Sequence, residues 1–316
     1  MRISILGAGA IGGYFAAKLA SSGADVQVIA RAETLEAIRR NGLRVEGNAE
    51  ATARPMVVGI DEAQPADLIV TCVKAYSIPP LARDIARLVK PDGLWLSAVN
   101  GLAWWYGERP LESVDPGGRI RACFPVRQAA SCVTYLAAEV LRPGVIAFIG
   151  GKGLILGLPD DRPSPLLDEA ARIFTAAGIA STVTDDIRSA IWNKLFGNVG
   201  LNPLTAITGL AVDALLADAE LKALLTEVTA ETMSVAAAEG AALEGDAEGR
   251  VAFMARLGAF RTSMLQDADA GRAIELDAIL GAMIEVAGRR NVAVQASRRS
   301  YALVRAFAAS RGLMPA

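Results

Sequence analysis

The sequence predicts an α/β protein: a doubly wound parallel sheet with appended antiparallel strands, followed by a C-terminal all-α domain. Three observations carry this. The opening residues run strand, glycine-rich turn, helix, strand; strand and helix patterns go on alternating to about residue 186; and from there the periodicity is almost wholly helical. With 316 residues, 53% hydrophobic and 21% charged, the chain has apolar material for two cores, and two domains are expected, 1–186 and 187–316.

Arg2 to Leu6 read as a short buried strand, and Gly7-Ala8-Gly9-Ala10-Ile11-Gly12 follows at once. Tyr14 to Ser21 have helical spacing before Gly23 ends the helix, and residues 25–30 form a second strand. This is a βαβ unit with GxGxxG in its first turn. Gly7 permits the tight turn, Gly9 lets the backbone approach a pyrophosphate, and Gly12 lets helix and strand pack closely. The helix N-terminus offers N–H groups and partial positive charge to phosphates. A dinucleotide-binding Rossmann domain is therefore expected. Where an NAD site usually carries a carboxylate for the ribose hydroxyls, the chain reads Ala30-Arg31. A guanidinium pairs with a 2′-phosphate that a carboxylate would repel, so NADP(H) is expected over NAD. The competing reading is a solvated arginine that merely follows a strand.

Further strands are expected at 67–73, 94–98, 119–123, 131–140, 145–149, 154–157 and 180–184. Pro143-Gly144 and Gly150-Gly151 mark turns, which makes 131–157 a set of antiparallel hairpins. Pro163 and Pro165 lead into a helix that ends near Gly178, and Asp185-Asp186 suit the start of the helical domain. Its long periodic segments are 212–239, 247–266, 273–290 and 296–311.

Lys+Arg 32 against Asp+Glu 34 leaves a net charge of −2, and no basic run is present to track a phosphate backbone, so no nucleic-acid partner is expected. No apolar run reaches the roughly 18 residues of a membrane span, and glycines interrupt the N-terminal apolar stretch where a signal peptide would be continuous. A cytoplasmic protein without membrane association is expected. Cys72, Cys123 and Cys132 show no metal spacing and read as small buried hydrophobes in a reducing compartment. There is no histidine at all. That excludes a Ser/His/Asp triad, any histidine metal site and any histidine proton donor, so proton chemistry falls to Lys, Glu, Asp, Tyr or Cys.

Ligands of open α/β sheets sit beyond the carboxyl ends of the strands, which singles out Lys74 after residues 67–73 and Asn100 in Asn100-Gly101. A solvated strand end and a simple turn are the plain alternatives. In the otherwise apolar segment 191–205, Lys194, Asn198 and Asn202 recur every four residues and would share one face of an α-helix. Such a row is costly to bury unless its members meet a ligand or one another. Structural hydrogen bonds around the Gly197 and Pro203 breaks are the alternative. Thr262-Ser263-Met264-Leu265-Gln266-Asp267 is followed by Arg272-Ala273-Ile274-Glu275-Leu276-Asp277, where Glu275 falls early in a helix and its charge also suits the helix dipole.

Taken together, GAGAIG, Arg31, VKAY around Lys74, Asn100-Gly101, WNKLFGNVGLNPLTA, TSMLQD and IELD resemble the ketopantoate reductase family over nearly the whole chain. The resemblance implies a Rossmann domain, a helical domain, an active-site cleft between them, NADPH as hydride donor and 2-dehydropantoate as the ketone reduced. Lys194 would match the family's proton donor, and Glu275 its second catalytic residue, holding the substrate hydroxyl and orienting Lys194. Asn198, with Asn202 on its face, would bind substrate oxygens, and Ser263 the carboxylate. Asn100 would sit between nicotinamide and substrate, and Lys74 and Arg31 would contact the cofactor or its phosphate.

Two features depart from the pattern. Phe260 stands three residues before Ser263, where some members have an asparagine that meets substrate, and Trp104-Trp105-Tyr106 follow Asn100-Gly101. The rings serve either packing or a reshaped pocket. Two alternatives follow: the same mechanism on another 2-oxo acid, or a non-catalytic NADP(H)-binding sensor, against which Lys194 and Glu275 both speak. Wide apolar helix faces suit a homodimer.

Overall fold

In the computed structural model, which describes residues 1–315, the chain divides into two compact units. Met1–Val99 and Arg119–Ile187 make the first; Asn100–Gly118 and Arg188–Ala316 make the second. A single boundary near residue 186 does not describe this division, because residues 100–118 belong with the helices. Their apolar content explains why. Leu102, Trp104, Trp105, Tyr106 and Leu111 are all buried, and Leu102 N–H donates to the Ala278 carbonyl.

The first unit contains β1 (Arg2–Leu6), α1 (Ala10–Ser21), β2 (Asp25–Ile29), α2 (Ala32–Asn41), β3 (Leu43–Gly47), β4 (Ala51–Ala53), β5 (Met56–Val58), β6 (Ala66–Thr71), α3 (Ile78–Leu88), β7 (Val89–Ser97), α4 (Arg119–Cys123), β8 (Ala129–Arg142), β9 (Val145–Gly157), α5 (Pro165–Ala176) and β10 (Ser181–Val183). The strands form one sheet in the order β4-β3-β9-β8-β7-β6-β1-β2-β5, with β10 added to β9. Pairing is parallel from β5 through β2, β1, β6 and β7 to β8, and antiparallel between β8 and β9 and between β3 and β4. The sheet winds both ways from β1, which is the doubly wound arrangement, and the antiparallel strands are appended. Ile3, Ile5, Val28, Leu68, Val70 and Leu96 are fully buried and pack with Phe15 and Leu19 of α1 and Phe174 of α5.

Three local differences from the expected elements have physical reasons. Residues 119–123 are a helical turn, because the buried Ile120 and Phe124 are spaced four apart and Phe124 N–H closes onto the Ile120 carbonyl. The expected strands 145–149 and 154–157 are one strand, β9, whose pairing with β8 skips Ile149 and Lys152, with Gly150, Gly151 and Gly153 beside these bulges. At Gly151 a Cβ would lie 2.1 Å from the Tyr135 carbonyl oxygen, so the bulge there demands glycine. The short strands β3, β4 and β5 were not expected; three to five residues are too few to show a period.

The second unit is helical: α6 (Ile187–Asn198), whose first residue belongs to the first unit, α7 (Leu201–Thr208), α8 (Val212–Ala217), α9 (Ala219–Ala238), α10 (Ala247–Met254), α11 (Ser263–Asp269), a single π-helical stretch at Asp277–Gly281, α12 (Ala282–Arg289) and α13 (Gln295–Ser310). Leu201, Leu204, Val212, Leu215, Leu225, Val251 and Met254 form a buried apolar cluster across α7 to α10. Carboxylates close the helix ends. Asp218 accepts from the N–H groups of Glu220 and Leu221, and Asp246 from that of Gly249. The cap of α13 comes from afar: Glu231 on α9 accepts from Ala296 N, Ser297 N and Ser297 Oγ at 2.8, 2.8 and 2.5 Å.

Glu285 on α12 does the same for the excursion. Its carboxylate accepts from Glu112 N and Ser113 N, each at 3.0 Å, from Ser113 Oγ at 2.8 Å and from Arg289 at 2.7 Å. Burial pushes this carboxyl up, but the Ser113 N–H and hydroxyl, the Glu112 N–H and Arg289 together hold it below the usual carboxylate range. A depressed carboxyl contributes stability that is fully present above the unfolded-state pKa, about 4.3, and is lost as pH falls through the lower folded-state value. We expect Glu285→Gln to lower denaturant stability at pH 7 by about 1–3 kcal/mol and to flatten the loss of stability below about pH 4.5. Urea titrations of both proteins at pH 7 and pH 3.5 check this; parallel curves would show that Glu285 contributes nothing pH-dependent.

Candidate active site

The sequence-selected residues fall into two groups, one in each unit. In the first, hydrogen bonds carry the parallel ladders past the strand ends: Gly7 N–H to the Ile29 carbonyl, Cys72 N–H to Leu6, Ala30 N–H to Val58 and Ala98 N–H to Thr71. The residues that follow β1, β2, β6 and β7 therefore line one carboxyl edge, where open sheets bind ligands. Gly7, at φ 98°, makes the turn, and a Cβ there would lie 2.6 Å from Val73 Cγ1. A Cβ at Gly12 would lie 1.9 Å from the Gly7 carbonyl oxygen and 2.8 Å from Cys72 Cβ, so this glycine is demanded by packing. Gly9 is different. It is exposed, it caps α1, its φ is −74°, and a Cβ built on it meets nothing within 4 Å.

Neither fold strain nor packing therefore requires glycine at position 9. Glycine there leaves the backbone open to a group that approaches from outside. Beside it, Ala8 is buried, Ala10 and Ile11 are half-buried, and α1 has no acidic side chain in its first turn to neutralise the helix end. The turn fits a pyrophosphate. Arg31 is exposed at the start of α2 after β2, and Lys74 is half-buried after β6. Cys72 underlies the turn, and burial, then the neighbouring Cys132, pushes its thiol well up, so it is no thiolate nucleophile.

In the second unit, Lys194 and Asn198 lie one turn apart on α6 and are half-buried. Asn202 is not on that helix. The α-helix is interrupted at Val199-Gly200, where Pro203 has no N–H for the Val199 carbonyl, and Asn202 stands in the first turn of α7, only 4% exposed. The single helix face expected for the three residues is thus not formed: Asn202 stands on the next helix. The side-chain amides of Asn198 and Asn202 make no hydrogen bond among the described residues, in a segment whose neighbours Leu195, Phe196, Val199 and Leu201 are buried. Amides so placed are costly unless a ligand or water meets them.

Ser263 opens α11 and is exposed. The preceding Thr262 is tied to α7 through Thr205, their hydroxyls 2.7 Å apart. Thr205 Oγ1 is also within 2.9 Å of the Leu201 carbonyl and 3.0 Å of that of Asn202. Glu275 is 7% exposed, and the chain around it is held on both sides. Arg272 donates to Asp267 through Nε at 2.9 Å, and Ile274 N–H donates to the Leu313 carbonyl at 3.0 Å. The π-helical stretch follows directly. There Asp277 Oδ1 accepts from Tyr301 OH at 2.6 Å; burial first and this bond second push the Tyr301 phenol up to about 12. Gly101, at φ 89°, lies so close to this stretch that a Cβ would be 1.9 Å from the Ala278 carbonyl oxygen. Half-buried Asn100 is therefore brought to the segment that follows Glu275, across 175 positions of sequence.

Trp104, Trp105 and Tyr106 are interior side chains, at 3%, 1% and 1% exposure. Trp192 donates to Tyr106 OH at 2.6 Å, and Arg188 lies 5.3 and 5.0 Å from the ring centroids of Trp105 and Tyr106. Phe260 is 38% exposed, and its carbonyl accepts from Val212 N–H.

The family model described as Ketopantoate reductase PanE/ApbA matches residues 3–160, and that for the ketopantoate reductase PanE/ApbA C terminal matches residues 186–308. A 2-dehydropantoate 2-reductase of Mesorhizobium japonicum is 36% identical over 99% of both chains. The chain belongs to the ketopantoate reductase family. It is accordingly an enzyme, an oxidoreductase with a small-molecule substrate and a nicotinamide cofactor. Among solved structures, a ketopantoate reductase candidate from Ralstonia solanacearum superposes with TM-score 0.93 at 35% identity, over 99% of each chain. A D-mandelate dehydrogenase determined with NADH and anilino(oxo)acetate superposes with TM-score 0.86 at 25% identity, over 99% of this chain and 100% of that one. No helix among the described residues of this ketopantoate reductase family member is long and apolar enough to cross a membrane.

Proposed function

We propose that the protein reduces 2-dehydropantoate to D-pantoate with NADPH, with Lys194 as proton donor. The observation that carries this is the pair of uncommitted amides, Asn198 and Asn202, placed with Lys194 in an otherwise buried apolar segment. Three polar groups with two amides unspent within the protein suit an oxygen-rich substrate. A bound reduced nicotinamide supplies the hydride that reaches the ketone carbon. The chain's own groups do the rest. Lys194 stabilises the negative charge growing on the ketone oxygen and delivers the proton that completes the alcohol, a role open to lysine in a chain without histidine. Glu275 accepts from the substrate hydroxyl, Asn198 and Asn202 hold substrate oxygens, Ser263 binds the carboxylate, and Asn100 would face both the substrate and a bound nicotinamide. Gly7 to Gly12 and the start of α1 cradle the pyrophosphate, Arg31 pairs with the 2′-phosphate, and Lys74 adds positive charge at the same sheet edge.

Phe260 supports a second reading, an aromatic or apolar 2-oxo acid reduced by the same machinery, since its exposed ring offers no hydrogen bond and a 25%-identical neighbour is a D-mandelate dehydrogenase. NADPH and NADH oxidation with 2-dehydropantoate, phenylglyoxylate and short aliphatic 2-oxo acids separates the readings. Preference for 2-dehydropantoate supports the first, and preference for phenylglyoxylate the second. Tight NADPH binding with no turnover would leave a cofactor sensor.

A further inference from the structure

Arg250 on α10 reaches across to the helix that carries Lys194. Its Nη2 donates at 3.1 Å to the Asn193 carbonyl, the carbonyl of the peptide unit whose nitrogen belongs to Lys194. The guanidinium carbon stands 5.4 Å from the ring centroid of Phe196 and 5.9 Å from that of Phe253, so both rings lie within cation–π range of it. Gly197 opens the way for it. A Cβ there would lie 2.5 Å from Arg250 Nη2 and 3.4 Å from its Nε and Cζ. Glycine costs about 1 kcal/mol in a helix interior and Gly197 has no positive φ that calls for it; the guanidinium occupies the space a side chain there would take.

The side chain of Asn193 fixes the same stretch from another direction. Its Nδ2 donates to the carbonyls of Ser189 and Ala242 at 3.0 and 2.8 Å, and its Oδ1 accepts from Glu244 N at 3.0 Å. Ser189 Oγ accepts from Ala242 N at 2.8 Å, and Asp246 caps α10 immediately beyond. Residues 242–250 are thereby laid along α6 from Ser189 to Gly197, with Lys194 between the two points of attachment.

We propose that Arg250, seated in the slot left by Gly197, is a positioning residue for Lys194: it fixes the Asn193–Lys194 peptide and with it the direction in which the ammonium is presented. This rests on the reading of Lys194 as proton donor. A planar guanidinium that donates to a carbonyl while packed near two rings defines an orientation that a flexible point charge does not. Since misplacement of a reacting group by about 1 Å costs up to about 100-fold in rate, the signature is kinetic.

Arg250→Met and Gly197→Ala test it independently, the first by removing the fork and the second by filling its slot. In folded protein of either variant, kcat is expected to fall about 10- to 100-fold, while KM for the oxo acid and Kd for NADPH stay within about twofold. The deuterium isotope effect on kcat, measured with NADPH labelled at the transferred position, is expected to rise as the chemical step becomes limiting. Arg250→Lys, the mildest change, is expected to show the same split and supplies the comparison if either variant does not accumulate folded. A lowered Tm with kcat and isotope effect unchanged would show that Arg250 only stabilises α6 and would overturn the proposal. Lys194→Ala, assayed alongside, separates the failures. If it retains kcat, the donor reading itself fails. If it loses kcat while the Arg250 and Gly197 variants do not, only the positioning role fails.

Discussion

Lys194→Ala is expected to lower kcat by about 100- to 10,000-fold, the range associated with loss of a positioned proton donor, while NADPH still binds. The asymmetry follows from where the residue lies. Lys194 is on α6, in the second unit, whereas the glycine-rich turn, Arg31 and Lys74, proposed to hold the cofactor, belong to the first, so its loss leaves them untouched. Alanine is also a strong helix former, so the substitution leaves the helix itself intact. Stopped-flow hydride transfer and fluorescence titration with NADPH measure the two quantities separately. A kcat within a few-fold of the parent would remove Lys194 from the chemistry and leave Tyr, Glu or water as donor. If substrate KM rises as well, Lys194 also binds the ground state.

The second large effect concerns the cofactor. Arg31→Ala is expected to weaken NADPH binding about 10- to 100-fold and NADH binding by no more than about twofold, because a charge-assisted pair with a phosphate is worth about 1.5–3 kcal/mol and NADH has no 2′-phosphate to lose. Arg31 is exposed beyond the end of β2, at the edge where Gly7 follows β1, so the side chain can meet a phosphate without a rearrangement of the fold. The contrast should shrink as salt is raised, since the pair is accessible to counterions. Parallel titrations with the two cofactors at two ionic strengths give the answer. Equal losses for NADPH and NADH would show that Arg31 has no part in reading the 2′-phosphate and would return the cofactor preference to residues elsewhere on the edge.

The candidate residues stood out in the order of residues where the signal was local. GxGxxG between a strand and a helix marks its own turn, where Gly12 closes on the Gly7 carbonyl, although both glycines also answer to Cys72 far along the chain. The four-residue recurrence of Lys194, Asn198 and Asn202 marked an unusual polar row, although Pro203 and the Gly200 break put its last member on another helix. Other signals were ambiguous by nature. A glycine within a helix, such as Gly197, has the same appearance whether it is tolerated or required, and only the guanidinium packed against it distinguishes the two. The tryptophans after Gly101 could serve a core or a pocket with equal propensity, and their near-complete burial, with Trp192 donating to Tyr106, is a fact of packing.

By itself, then, the sequence determined the α/β class, the turn chemistry at Gly7 to Gly12, the helical character of the C-terminal part and the exclusion of histidine chemistry. These depend on composition, on local backbone preference and on periods of two and 3.6 residues, all of which act over a few neighbouring positions. Only the tertiary structure decided that residues 100–118 leave the sheet unit to join the helices, that Gly101 presses on Ala278, that Glu231 caps a helix more than sixty positions away and that Arg250 grips the peptide before Lys194. Each of these is a meeting of groups far apart in the chain. Its free energy comes from burying apolar surface and satisfying particular donors and acceptors in three dimensions, and no pattern along one segment contains that information.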